Sequence, residues 1–129
     1  MFSQSNKEKT LAIVRIITGL LMIYHGFEVF DAKLMTDYAQ WDMFKNLSLG
    51  LIMVYIGKSS ELIAGILLMI GLWTRIASII LILTMTYILF FIGNGKFWYE
   101  DQHPFLFILL GFIYLFNGAG AWGIDKKEF

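Results

Sequence analysis

Four long apolar runs, at about residues 11–30, 49–72, 73–92 and 104–122, dominate this chain of 129 residues, and the charges gather between them. Hydrocarbon about 30 Å thick needs roughly 20 helical residues to cross it, a length that each run meets or nearly meets. A soluble domain would carry polar faces recurring along each helix. With 58% hydrophobic and only 16% charged residues, the balance is that of a membrane protein. The expectation is one all-α domain, an antiparallel four-helix bundle set in a membrane. The polar start "MFSQSNKEKT" leads into the first run without a small-x-small cleavage site, which predicts an uncleaved first span.

The links support this order. Residues 31–48 carry Leu34, Tyr38 and Trp41 at helical spacing with acids between them, which predicts a short interfacial amphipathic helix between spans one and two. In "GLWTRIA", Gly71 can end one helix and Thr74 can cap the next, making spans two and three a tight hairpin. "GNGKFWYEDQH" is a polar turn with interfacial aromatics, and Pro104 suits the first turn of span four. Lys7, Lys9, Arg15, Arg75, Lys126 and Lys127 outnumber Lys33, Lys45 and Lys96, so both termini are expected in the cytoplasm. On this reading Arg15 and Arg75 anchor the cytoplasmic face, and Asn117 ties helices together.

Several function classes drop out. The basic residues form no patch able to follow a phosphate backbone, so no nucleic-acid partner is expected. The absence of cysteine removes disulfides, thiolate catalysis and thiolate metal sites. Glycines recur seven apart at Gly19 and Gly26, Gly50 and Gly57, and Gly111 and Gly118, a spacing that keeps small residues on one stripe and lets helix backbones approach.

Against this apolar background, Lys58 and Glu61 in "IGKSSELIAG" are out of place. At about 100° per residue, Gly57, Lys58, Glu61 and Gly65 share an arc of about 100°, so the charges lie on the glycine face and point into the bundle. Three residues apart, they can pair and so reduce the cost of dehydration. Glu61 sits about 18 Å and Lys58 about 14 Å along span two. At the outer end of span one, His25 and Glu28 are one turn apart, and His103 follows Glu100 at the start of span four. Both histidines and the deepest charges therefore open toward one half of the bundle.

Three chemistries fit that constellation. Glu100, His103, His25, Glu28 and Glu61 could supply a carboxylate and histidine metal site, against which stand the single Glu-x-x-His and competition from Lys58. Two histidines from different helices could ligate a haem. A histidine hydrogen-bonded to a carbonyl and backed by a carboxylate could serve a quinone headgroup, giving His25, Glu61 and Lys58 reactive roles and His25, Glu28, Glu61 and His103 binding roles. A structural ion pair is the plain alternative.

The stretches "GLLMIYHGFEVF", "ELIAGILLMIGLWTRIASIILILTMTYILFF" and "HPFLFILLGFIYLFNGAGAWGIDKK" resemble the DoxX family of small four-helix membrane proteins over about residues 11–127. The resemblance rests on His25 and Gly26, Glu61 and Gly65, Gly71, Thr74 and Arg75, and Gly118, Gly120 and Asp125. The basic residue usual shortly after the first His-Gly is missing; Glu28 stands there and Lys33 comes later. Lys58 lies outside the motif. The resemblance implies a bacterial inner-membrane subunit of a quinone-linked oxidoreductase or oxidative-stress complex. Its partners would be the lipid bilayer and other membrane or periplasmic proteins, or further copies of itself. A non-enzymatic assembly or scaffold subunit gripping a partner's membrane helices is the rival, and a small proton-coupled transporter the third reading.

Overall fold

A computed structural model describes residues 4–40, 50–92, 95–96, 98–99 and 102–124. Trp41, Lys45, Glu100, Asp125, Lys126 and Lys127 lie outside the described residues. All regular structure among the described residues is helical: α1 (Gln4–Gly26), α2 (Ala32–Ala39), α3 (Gly50–Ile70), α4 (Thr74–Tyr87) and α5 (Gln102–Asn117). A 3-10 turn, Phe27–Phe30, follows α1, and a π-helical turn, Ile88–Ile92, extends α4.

Two helical stretches are long and apolar enough to cross a membrane, Gln4–Phe30 and Gly50–Ile70. Only 33% and 28% of their apolar windows are buried within the molecule, whereas a core helix of a soluble protein would be mostly covered. Leu20, Leu21, Ile56, Ile63, Leu83 and Phe112 all stand exposed. Such a surface calls for lipid rather than water, which marks a membrane protein.

The expected fourth span is shortened. Helix α5 stops at Asn117, because Gly118 takes a left-handed backbone (φ 76°) and returns its N–H to the Tyr114 carbonyl at 2.9 Å. Residues 118–124 then fold back over the first half of α1, where the Ala121 N–H donates to the Glu8 carbonyl at 3.3 Å. Both described ends of the chain therefore lie together. Asn117 does not tie helices; its amide donates to the Ile113 carbonyl of its own helix.

The hairpin between α3 and α4 closes as its sequence suggests, with one difference. Gly71 (φ 71°) donates to Leu68, and Leu72 donates to Leu67, the paired bonds of a Schellman cap. Trp73, not Thr74, occupies the position before α4, with a left-handed backbone and no side-chain cap. Thr74 is instead buried in the first turn.

Helices pack in ring order, α1 on α3, α3 on α4 and α4 on α5, while α5 closes on α1 more sparsely. The core is Met22, Leu68, Leu81, Met85, Phe107 and Tyr114. Gly19 and Gly65 explain the closest pairing: a Cβ on Gly65 would lie 2.8 Å from the Gly19 carbonyl, and one on Gly19 would lie 2.6 Å from the Gly65 carbonyl. The Tyr114 hydroxyl, fixed by donation to the Leu11 carbonyl at 2.6 Å, ties α5 to α1.

Arg15 corrects the expectation of a surface anchor. It is fully buried, and its guanidinium donates to the carbonyls of Ala119, Ala121 and Trp122. Five fixed donors in one plane suit a group of converging carbonyls better than a single phosphate contact.

Candidate functional site at the α2 end

Asp31 ends the 3-10 turn and begins α2, its carboxylate accepting from the Leu34 N–H at 3.1 Å. That cap turns the chain back across the top of α3. Met35 is fully buried against Val54, with Leu34, Tyr38 and Tyr87 packed around them. The apolar side of α2 thus rests on α3, with Tyr87 of α4 packed against the same cluster, and it carries Tyr38 to the charges of α3.

Lys58 is the hub of these charges. Its ammonium lies 2.8 Å from Glu28 Oε2 and 3.2 Å from Glu61 Oε2. The Tyr38 hydroxyl donates to the same Glu28 oxygen at 2.8 Å, and Lys58 Nζ stands 5.4 Å from the centre of the Tyr38 ring. Glu61 is the buried member, only 4% exposed, and among the described residues its carboxylate bonds through Oε2 to Lys58. Burial, and then the Glu28 carboxylate, push the Tyr38 hydroxyl up to about 12.

The two histidines also meet. The rings of His25 and His103 contact edge to face, 5.3 Å apart, and His103 packs in the same way on Phe107. Among the described residues, no group of three or more potential ligands gathers for a metal ion.

A cavity of about 490 Å³ opens beside the charges, within the ~300–1,000 Å³ range of small-molecule sites. Its wall includes Tyr38, Gly57, Lys58, Glu61, Thr84 and Tyr87. It therefore lies between α2, α3 and α4, the side of α3 facing away from α1 and α5. The residues that the sequence singled out come from spans one, two and four. Lys58 and Glu61 line the cavity, whereas His25, Glu28 and His103 stand behind them.

Gly57 accounts for part of this space. A Cβ there would meet nothing within 4 Å, so Gly57 does not belong to the close-packing stripe that Gly65 serves. The π-helical turn beginning at Ile88 is the second cause, since a wider turn re-aims side chains at the level of the cavity, and Ile88 lines it. Tyr38, Gly57, Thr84 and Tyr87 are among the members that sequence reasoning missed. A phenol on the apolar side of a short helix was the available signal for Tyr38.

The DoxX family model matches residues 10–94. An uncharacterized protein of Haemophilus influenzae is 32% identical over 126 residues, covering 92% of this chain and 90% of its own. A Bacillus subtilis protein named "Putative oxidoreductase CatD" is 32% identical over 94 residues, covering 67% of each chain. No solved structure gives a significant match. With the family model spanning more than half of the sequence and a relative matching nearly all of it, the chain belongs to the DoxX family.

Proposed function

We propose that this protein is the membrane subunit of a quinone-linked oxidoreductase or oxidative-stress complex. In this reading it is an antiparallel four-helix bundle in a bacterial inner membrane, with both termini cytoplasmic. The observation that carries the reading is the cavity itself, apolar over most of its wall and bounded by an ammonium and a buried carboxylate.

The residues suit a quinone headgroup. Lys58 has three donors, two of which go to Glu28 and Glu61, leaving one for a carbonyl oxygen at the cavity wall. Glu61 offers Oε1 as an acceptor for a hydroxyl. Donor and acceptor side by side match a group that alternates between carbonyl and hydroxyl. A bound quinone would supply two-electron, two-proton chemistry, with electrons delivered by a dehydrogenase partner.

This chain's own part is binding and proton handling. Lys58 orients the headgroup oxygen, and Glu61 holds or releases a proton within the cavity wall. Glu28 and Tyr38 fix Lys58 in place. His25 and His103, on the more exposed side of the network, exchange protons between solvent and Glu61. The name of the Bacillus subtilis relative agrees with a redox role.

The test is purification in mild detergent, followed by quinone extraction, an absorption spectrum and identification of co-purifying proteins. Quinone present in the wild type and lost in Lys58→Met and Glu61→Gln is the expected result. A protein free of quinone that comes down stoichiometrically with one partner would overturn it in favour of the scaffold role. Proton uptake into liposomes that Glu61→Gln abolishes would instead favour a transporter.

A further inference from the structure

The cavity has an outer side as well as a charged inner end. On α3 its wall runs from Val54 and Glu61, both buried, to Ile56, which is 60% exposed; on α4 it reaches Leu83, 65% exposed. Exposed apolar rim and buried charged floor are thus joined across two neighbouring helices. The Gly71 cap clamps α3 and α4 together at the closed end of the hairpin, and the opening lies away from that clamp, in the first half of α3 and past the middle of Thr74–Tyr87 on α4.

Gly57 stands in this opening. Gly19, Gly26, Gly65 and Gly111 would each place a Cβ within 2.8 Å of a neighbouring atom, so packing explains them. Gly57 would touch nothing within 4 Å. A mid-helix glycine costs about 1 kcal/mol relative to alanine, and at this position no close neighbour accounts for it. What it provides is width.

Building on the quinone reading above, we propose that the ligand reaches the cavity sideways from the lipid, between Ile56 and Leu83, and that Gly57 sets the width of this passage. The site is therefore selective for a molecule with a flexible hydrocarbon tail. Its polar head stops at Lys58 and Glu61, and its tail lies in the groove between α3 and α4, continuous with the bilayer. Tyr38, from α2, roofs the polar end, which leaves the groove as the apolar way in.

The experiment uses the full chain in lipid nanodiscs, as wild type, Gly57→Ala and Gly57→Phe. Binding of duroquinone (head alone), decylubiquinone (head and tail) and farnesol (tail alone) is read from tryptophan fluorescence, and a thermal melt checks each fold. The wild type is expected to bind decylubiquinone about tenfold or more tightly than duroquinone, since each buried methylene adds to affinity. Gly57→Phe should cancel that advantage without shifting the melt, with Gly57→Ala in between. Unchanged decylubiquinone affinity in Gly57→Phe overturns the passage, as does equal wild-type affinity for both quinones, although the quinone reading then stands. Farnesol binding that Gly57→Phe blocks, without binding of either quinone, keeps the passage and sinks the quinone reading. Failure of all three probes overturns both.

Discussion

Lys58 is held more closely by Glu28, on a different segment of the chain, than by Glu61, one turn away on its own helix: 2.8 Å against 3.2 Å. The network is thus a tertiary link between the end of α1 and the middle of α3. Glu28, just past the end of α1, finds its cation on α3.

Removing that cation leaves two carboxylates facing one another in a partly dehydrated site. Lys58→Met should cost about 3 kcal/mol, the lower end of the range for a broken buried pair, because Glu28 is 31% exposed. The double variant Glu28→Gln/Lys58→Met should recover part of the loss. Reversible unfolding in mixed micelles measures both, and a silent Lys58→Met would show that the triad does not hold the helices.

Gly65 and Gly57, eight residues apart on one helix, should answer substitution in opposite ways. Gly65→Ala drives a Cβ to 2.8 Å from the backbone of α1 and should destabilise by about 1–3 kcal/mol. Gly57→Ala meets open space and should be neutral or slightly stabilising. Parallel thermal melts decide, and equal losses at the two positions would contradict the packing described.

Arg15→Met removes the donor to three carbonyls of the C-terminal segment. Hydrogen bonds to a charged group contribute about 1.5–3 kcal/mol each, so the variant should lose at least about 3 kcal/mol. Hydrogen exchange should rise most in residues 118–124. Lys at this position should not restore protection, because a single ammonium cannot span the three carbonyls. Full protection in Arg15→Met would argue that backbone contacts alone hold the segment.

Tyr38 gives the protein an alkaline limit. Its hydroxyl, pushed from 10.0 up to about 12, keeps a proton in the folded state that the unfolded chain has already lost. The stabilisation is complete below about pH 10 and is lost as pH rises through about 12. Stability followed across that interval should fall with pH in the wild type. In Tyr38→Phe this contribution to the slope should vanish, and identical slopes would refute the assignment.

Lys58 and Glu61 were legible in the sequence because a charge in an apolar run stands out against its neighbours. So were His25 and His103, which share a level once the spans are drawn. Arg15 misled, since its position near the start of a span does not reveal that carbonyls 104 to 107 residues later fold back to it. Gly57 and Gly65 share one helical stripe, yet which of them meets a neighbour depends on where α1 ends and α2 begins. Tyr38 became part of the site only because the Asp31 cap turned α2 over α3.

The Arg15 clasp also sets an order of events during synthesis. Arg15 leaves the ribosome early, whereas Ala119, the first of its acceptors, follows 104 residues later, on the order of 5 to 20 s at bacterial or eukaryotic elongation rates. Throughout that interval its guanidinium must be satisfied by lipid headgroups, water or the insertion machinery. The segment after α5 supplies the carbonyls that let Arg15 settle, so a chain truncated at Asn117 would reach the membrane without those three acceptors, a ready mark for quality control.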